Sequence, residues 1–171
     1  MISPTSASPA GRPSQACLLL GSNIAPERNL PRAVALLAQQ VDIAGLSLAW
    51  ETPAVGSNGP NFLNMALLVR TALSAEQLKQ QVLRPVEHTL GRRRTTDKYA
   101  PRPIDIDIVA WDCQVTDPDV WKYAHAAVPV AEVLPCHTAS EAGETLAQAA
   151  QRLEQTSRIQ PRAEVRMGLE M

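Results

Sequence analysis

The segment Ile104-Asp105-Ile106-Asp107-Ile108-Val109 alternates apolar and acidic residues, and this period of two is the strongest constraint in the chain. On a β-strand, residues two apart project from the same face. Asp105 and Asp107 therefore point one way, about 7 Å apart along the strand. Ile104, Ile106 and Ile108 point the other way, into a core. A strand over Ile104–Trp111 is expected on this basis.

Other segments alternate between strand-like and helix-like patterns. The run Cys17-Leu18-Leu19-Leu20 ends in Gly21-Ser22-Asn23 and predicts a buried central strand over Gln15–Gly21. Leu30, Ala33, Val34, Leu36, Leu37 and Val41 form one helical stripe, with Pro31 acceptable only near the helix start. A second strand is expected over Ile43–Trp50, a turn-rich loop over Thr52–Asn61 and a third strand over Phe62–Thr71. Ser74 caps a helix running from about Ala75 to Leu90, in which Pro85 predicts a kink. Ala126–Leu134 gives no clear preference. Glu144–Thr156 reads as a helix, and Glu164–Met167 as an edge strand. Alternating strands and helices in 171 residues fit one α/β or α+β domain. Residues 1–14 are small, polar and Pro-rich, and are expected to be a disordered lead-in to a domain spanning 15–171.

Composition excludes several classes. The formal net charge of −1 gives no global attraction to nucleic acid or an anionic membrane. No apolar run approaches the ~20 residues of a membrane span, and the N-terminal segment is not a secretory signal. Cys17, Cys113 and Cys136 are far apart, and His88, His125 and His137 show no zinc-binding spacing. Reduced thiols in a cytoplasmic protein are the expectation.

Two carboxylates on one strand face repel unless a cation sits between them. A solvated acidic face is the plain alternative for such a pair. The neighbouring residues favour a metal. Arg92, Arg93, Arg94, Lys98 and Arg102 fall just before the strand, in the irregular segment Gly91–Pro103, against one acid, Asp97. Carboxylates hold Mg²⁺, which keeps water and phosphate as its other ligands, and guanidinium groups fork onto phosphate oxygens. By themselves the arginines also fit a solvated loop or a nucleic-acid patch. The latter would bring more positive charge and interleaved aromatics, whereas Tyr99 is the only aromatic in the segment. No P-loop or protein-kinase motif is present, so phosphate chemistry would need a different architecture.

The dozen residues Lys98-Tyr99-Ala100-Pro101-Arg102-Pro103-Ile104-Asp105-Ile106-Asp107-Ile108-Val109 resemble the signature of the 6-hydroxymethyl-7,8-dihydropterin pyrophosphokinase family. Leu20-Gly21-Ser22-Asn23, Glu51-Thr52-Pro53 with Val55-Gly56, Phe62-Leu63-Asn64 and Leu90-Gly91-Arg92 follow in the family's order, and the likeness runs from about residue 17 to residue 135. The resemblance implies a ferredoxin-like α+β sandwich, a mostly antiparallel sheet flanked by helices. It implies transfer of pyrophosphate from ATP to the pterin hydroxymethyl group, with AMP leaving. Asp105 and Asp107 would bridge two Mg²⁺ ions, with Arg92 and Arg102 as catalytic phosphate contacts. Glu87, Arg92, Arg94, Lys98, Arg102 and Ile108 would face ATP. Thr52, Pro53, Val55, Phe62, Asn64, Tyr99 and His125 would form the pterin pocket. By residue type alone Phe62 reads as a core strand residue and Asn64 as a strand-end polar residue. The expected protein is a monomer without nucleic-acid or membrane partners.

The chain departs from the family after Asp107. The usual Pro-His pair is missing, and the segment to His125 is short. Aligning Val128-Pro129-Val130-Ala131-Glu132-Val133-Leu134-Pro135 with the family's later Pro-and-Glu segment puts His125 at an aromatic position and Tyr123 at a basic one. His125 is then either a stacking ring or a surface histidine. An altered pterin preference, or a silent binding module, are the alternatives this departure raises.

Overall fold

Strands that are apolar on both faces require a covering layer on each side, and the chain provides both. The computed structural model describes residues 11–134 and 140–168. In chain order these form β1 (Ser14–Ser22), α1 (Pro26–Ala38), β2 (Asp42–Leu46), β3 (Trp50–Thr52), β4 (Phe62–Thr71) and α2 (Ala75–Leu78). A π-turn (Lys79–Leu83), α3 (Arg84–Thr89), β5 (Asp105–Trp111), β6 (Gln114–Val115) and a 3-10 turn (Pro118–Trp121) follow. The last elements are α4 (Ala124–Val133), α5 (Leu146–Thr156) and β7 (Gln160–Pro161).

β1 is central, between β4 and β5, while β2 and β3 both pair with β4. Every pairing among the described residues is antiparallel. With β2 and β3 taken as one broken strand, this is the β-α-β-β-α-β order of a ferredoxin-like fold, the expected α+β sandwich. Alternation along the strands sorts side chains into two cores. Leu18, Leu20, Met65, Leu67, Ile104 and Ile106 meet Leu30, Val34, Leu37, Leu78 and Val82 of α1 and the α2–α3 rod. Cys17, Ala66, Val109 and Ala110 meet Ala126 and Val130 of α4 and Leu146 of α5. Each fully buried Leu or Val contributes roughly 1.5–3 kcal/mol. A bulge opposite Cys17 and Leu18 leaves Val109 unpaired, so Val109 and Ala110 both serve the α4 side. N-terminal to it, Ile104, Ile106 and Ile108 keep to the α1 side.

Several local expectations are corrected. α1 starts at Pro26, so Pro31 lies inside the helix rather than at its start. The strand expected over Ile43–Trp50 is broken in two. Ser47 leaves the regular ladder and pairs twice with Ala66, donating its N–H to the carbonyl (3.0 Å) and accepting on Oγ from the amide (2.8 Å). The kink expected at Pro85 appears as the π-turn preceding it, where the Arg84 N–H reaches back to the Lys79 carbonyl; the wider register accommodates a residue that donates no hydrogen bond. The undecided segment is α4, beginning at Ala124. Glu164–Met167 is not a strand. β7 is Gln160–Pro161, pairing with Trp50 and Glu51, and Val165 and Met167 pack on the α1-side core instead. β1 begins at Ser14, and residues 1–10 of the expected lead-in lie outside the described residues, as do Cys136 and His137. Among the described residues no helix is long and apolar enough to cross a membrane.

Candidate active site

The α4-facing side of the sheet changes character toward one end of β1. There Leu19 pairs with Asp107 and Gly21 with Asp105, and on the other side Gly21 pairs with Asn64. Apolar packing gives way to a pocket at this end. Asp105 and Asp107 form one wall; Thr52, Pro53, Phe62 and Asn64 form another; His125 closes it from α4. Lys98, Tyr99, Arg102 and Val55 complete the rim.

The two aspartates differ in their company. Asp105 accepts a hydrogen bond from Arg102 Nη1 at 2.9 Å, and Arg92 Nη2 lies 3.7 Å from its other oxygen. Arg102 is held over it by its own loop, donating to the carbonyls of Lys98 and Ala100. Arg92 is mostly buried, and its Nε has no hydrogen-bond partner among the described residues. Such an orphaned donor suits a ligand anion. Asp107 has no cation beside it among the described residues, and its carboxyl is pushed up to about 6. The loss of solvent to the surrounding walls is the first cause; the negative charges of Asp105, Glu87 and Asp117 add to it, against Arg84. The side chain is nonetheless open to the pocket. Two hard oxygen donors, one of them lacking positive charge, beside guanidinium groups fit a magnesium–phosphate site completed by substrate oxygens.

The opposite wall is neutral. Asn64 Nδ2 donates to Thr52 Oγ1 at 2.9 Å, both residues being buried. Asn64 Oδ1 lies so close to Gly21 that a Cβ there would meet it at 3.1 Å; any larger residue would crowd the amide. Phe62 is half-buried beside them. Across the pocket the rings of His125 and Tyr123 stack, with centroids 5.5 Å apart and planes 22° from parallel. Burial lowers the pKa of His125 despite the opposing charges of Asp119 and Asp117, which keeps a neutral, flat ring at the pocket wall. At the rim the Tyr99 ring lies against Gly56, whose φ is +74°, and Lys98 Nζ sits 4.9 Å from the Tyr99 ring centre.

Eleven of the residues singled out from sequence thus line one pocket: Thr52, Pro53, Val55, Phe62, Asn64, Lys98, Tyr99, Arg102, Asp105, Asp107 and His125. Four are placed otherwise. Arg92 reaches the pocket through Asp105. Glu87 is buried, accepting from the Ile106 amide at 2.8 Å and pairing with Arg84 and Arg94 at 3.1 and 3.6 Å. Burial raises its pKa, with Asp105 adding to the effect and the Ile106 amide and Arg84 opposing it. Arg94 is exposed and turned onto Glu87. Ile108 is half-buried, its side chain packing against the α1-side core. Leu19, Gly21 and Ser57 also line the pocket. Of these only Gly21 left a sequence signal, a glycine where a strand meets its turn.

The chain as a whole is similar to known proteins. The family model described as 7,8-dihydro-6-hydroxymethylpterin-pyrophosphokinase (HPPK) matches residues 17–135. The 2-amino-4-hydroxy-6-hydroxymethyldihydropteridine pyrophosphokinase of Synechocystis sp. is 29% identical over 164 residues, covering 88% of this chain and 83% of that protein. Its namesake from Methylorubrum extorquens is 34% identical over 134 residues, covering 71% and 84%. That from Aquifex aeolicus is 32% identical over 108 residues, covering 62% and 66%. The carboxylate pair, its arginines and the neutral pocket facing them therefore sit in a chain that belongs to the HPPK family, the pyrophosphokinases that modify hydroxymethyldihydropterin in folate biosynthesis.

Proposed function

We propose that this chain binds ATP against Asp105, Asp107, Arg92 and Arg102 and a hydroxymethyl-dihydropterin against Thr52, Phe62, Asn64 and His125, and joins them. The pterin hydroxyl oxygen forms a bond to the β-phosphorus and gives up its proton to solvent, the bond from that phosphorus to the AMP oxygen breaks, and AMP leaves with the electron pair. The single observation that carries this reading is the facing of two unlike walls across one pocket: the β5 carboxylates with Lys98 and Arg102 of the preceding loop, and a neutral amide with flat rings opposite. Magnesium, two ions by family likeness, would be held by Asp105 and Asp107 and would supply charge neutralisation on the transferring phosphates.

The residues have separable tasks. Arg102 and Arg92 offer donors to phosphate oxygens. Asn64, fixed by Thr52, offers one acceptor and one remaining donor hydrogen to the edge of a heterocycle. Phe62 and His125 stack on its faces. Val55 and Tyr99 at the rim exclude water, a competing acceptor. Every one of these groups comes from a single chain, which supports a monomeric working unit, and a cytoplasmic setting fits the buried thiol of Cys17. His125 and Tyr123, at positions where the family has other residue types, support a second reading: a preference for a pterin with a different substituent.

The test is AMP release with Mg-ATP and a small pterin panel, for the wild type and for Asp105→Ala and Asp107→Ala. Both variants should fold, by circular dichroism, and lose at least 10³-fold in rate. Near wild-type rates in both would sink the metal assignment. Faster turnover of a substituted pterin than of 6-hydroxymethyl-dihydropterin would favour the second reading.

A further inference from the structure

The family model ends at residue 135, and α4 lies just within it. One carboxylate on this helix does something the catalytic reading does not use. Glu132 Oε2 accepts from the backbone N–H of Leu48 at 2.7 Å, and Oε1 accepts from the indole Nε1 of Trp50 at 2.6 Å. Leu48 lies in the break between β2 and β3, and Trp50 is the first residue of β3. Once Ser47 turns to pair with Ala66, the Leu48 amide points out of the sheet and needs an acceptor from elsewhere. The Trp50 ring is buried and its N–H is donor-only. Glu132 meets both needs with short, charge-assisted bonds.

The consequence lies at the other end of α4. His125 and Glu132 are seven residues apart, about 20° short of two full turns and roughly 10 Å along the axis. One face of the helix therefore carries Glu132 onto β3 and His125 into the pocket. Ala127 and Val128 between them, and Ala124 just before His125, cluster with Trp50. β3 itself is three residues long and ends at Thr52, the partner of Asn64. Its position within the sheet is set by β4 and β7, but those ladders do not fix its position relative to α4. Small apolar contacts around Ala124 and Ala127 permit sliding. Two directed bonds to one carboxylate do not.

We infer that Glu132 is a positioning residue that sets the register of α4 against β3, and so the spacing between the His125 and Thr52–Asn64 walls of the acceptor pocket. This rests on the functional reading of that pocket. Loss of the tie should loosen one wall against the other without touching the ATP side. A misplacement of about 1 Å is enough to cost up to 10²-fold in a positioned reaction.

The experiment compares wild type with Glu132→Gln and Glu132→Ala. It measures KM for ATP and for the pterin, kcat, and pterin affinity by calorimetry. The expected result is a KM and Kd for the pterin raised about tenfold in Glu132→Ala and less in Glu132→Gln, which keeps one acceptor. KM for ATP should stay within twofold, and Trp50 fluorescence should shift in both variants. A merely structural role would lower melting temperature and active fraction while leaving both KM values and the pterin affinity unchanged, and that result would overturn the inference alone. A wild type that neither binds nor turns over a pterin would overturn the functional reading and this inference together.

Discussion

Asp107→Asn should stabilise the protein while abolishing its turnover. The carboxyl of Asp107 has no cation beside it among the described residues and is pushed from 3.8 to about 6 by burial and by Asp105, Glu87 and Asp117. The sign follows from linkage. At a pH below both values the group is protonated folded or unfolded and makes no difference. As pH rises from about 4 to about 6 the unfolded chain ionises first, the folded state holds more protons, and stability falls. Above that window the full cost of the charge is present. The span from 3.8 to about 6 corresponds to at most roughly 3 kcal/mol. The side chain is open to the pocket, so solvent screens most of this and leaves about 1 kcal/mol. A neutral amide of the same shape avoids that cost, which for a chain of this size raises the melting temperature by ~2–4 °C. Thermal unfolding in chelator, at pH 8 and again at pH 4, is the assay. The gain should be present at pH 8 and vanish at pH 4. Asp105→Asn provides the contrast, because its carboxylate is paired with Arg102 and Arg92. It should lower the melting temperature at pH 8, by about 0.5–1 kcal/mol of lost pairing. A lowered melting temperature for Asp107→Asn at pH 8, or a gain of equal size at both pH values, would refute the reasoning.

Other outcomes follow from single contacts. Thr52→Val removes the acceptor of Asn64 Nδ2, leaving a buried donor unpaired at a cost of about 1–3 kcal/mol; steady-state kinetics should show KM for the pterin rising about tenfold with KM for ATP unmoved. Arg102→Lys keeps the charge but loses the fork that holds Asp105 and the loop carbonyls, and kcat should fall about 10²-fold with little change in pterin affinity by calorimetry. Gly56→Ala would place a Cβ 2.5 Å from the Tyr99 ring at a φ of +74°; differential scanning calorimetry should show a loss of ~1–2 kcal/mol, and the displaced rim should raise KM for the pterin.

How much of this was legible beforehand depended on whether a feature was local. The alternation Ile104–Val109 fixed strand, face and acid pair at once, because a period of two admits one arrangement. The ten residues of β4 were read with the right ends, Phe62 and Thr71. The failures were tertiary. Ser47 looks like any strand residue until its hydroxyl meets Ala66, and the break it makes gives β2 and β3 instead of one strand. The α4 sequence has valines on both sides of Pro129 and only two polar residues, His125 and Glu132, so neither helix nor strand periodicity stood out until burial between the sheet and α5 decided it. In the site, the acids and arginines were visible as residue types, and the role of Gly21 was not, since it depends on Asn64 arriving from another strand. The contacts of Glu87 with the Ile106 amide, Arg84 and Arg94 left no mark in the sequence. Glu132 gave no chemical signal of its own, because its two donors lie more than eighty residues earlier in the chain.

The central claim is that the β5 wall and the Thr52–Asn64 wall serve two substrates of one reaction. The most direct test is a product analysis after incubation of the purified protein with Mg-ATP and 6-hydroxymethyl-7,8-dihydropterin, with AMP and pyrophosphorylated pterin quantified together. The account predicts the two products in equal amounts, both absent without the pterin and both lost in Asp107→Asn. ADP in place of AMP, or AMP released without a matching pterin product, would contradict it.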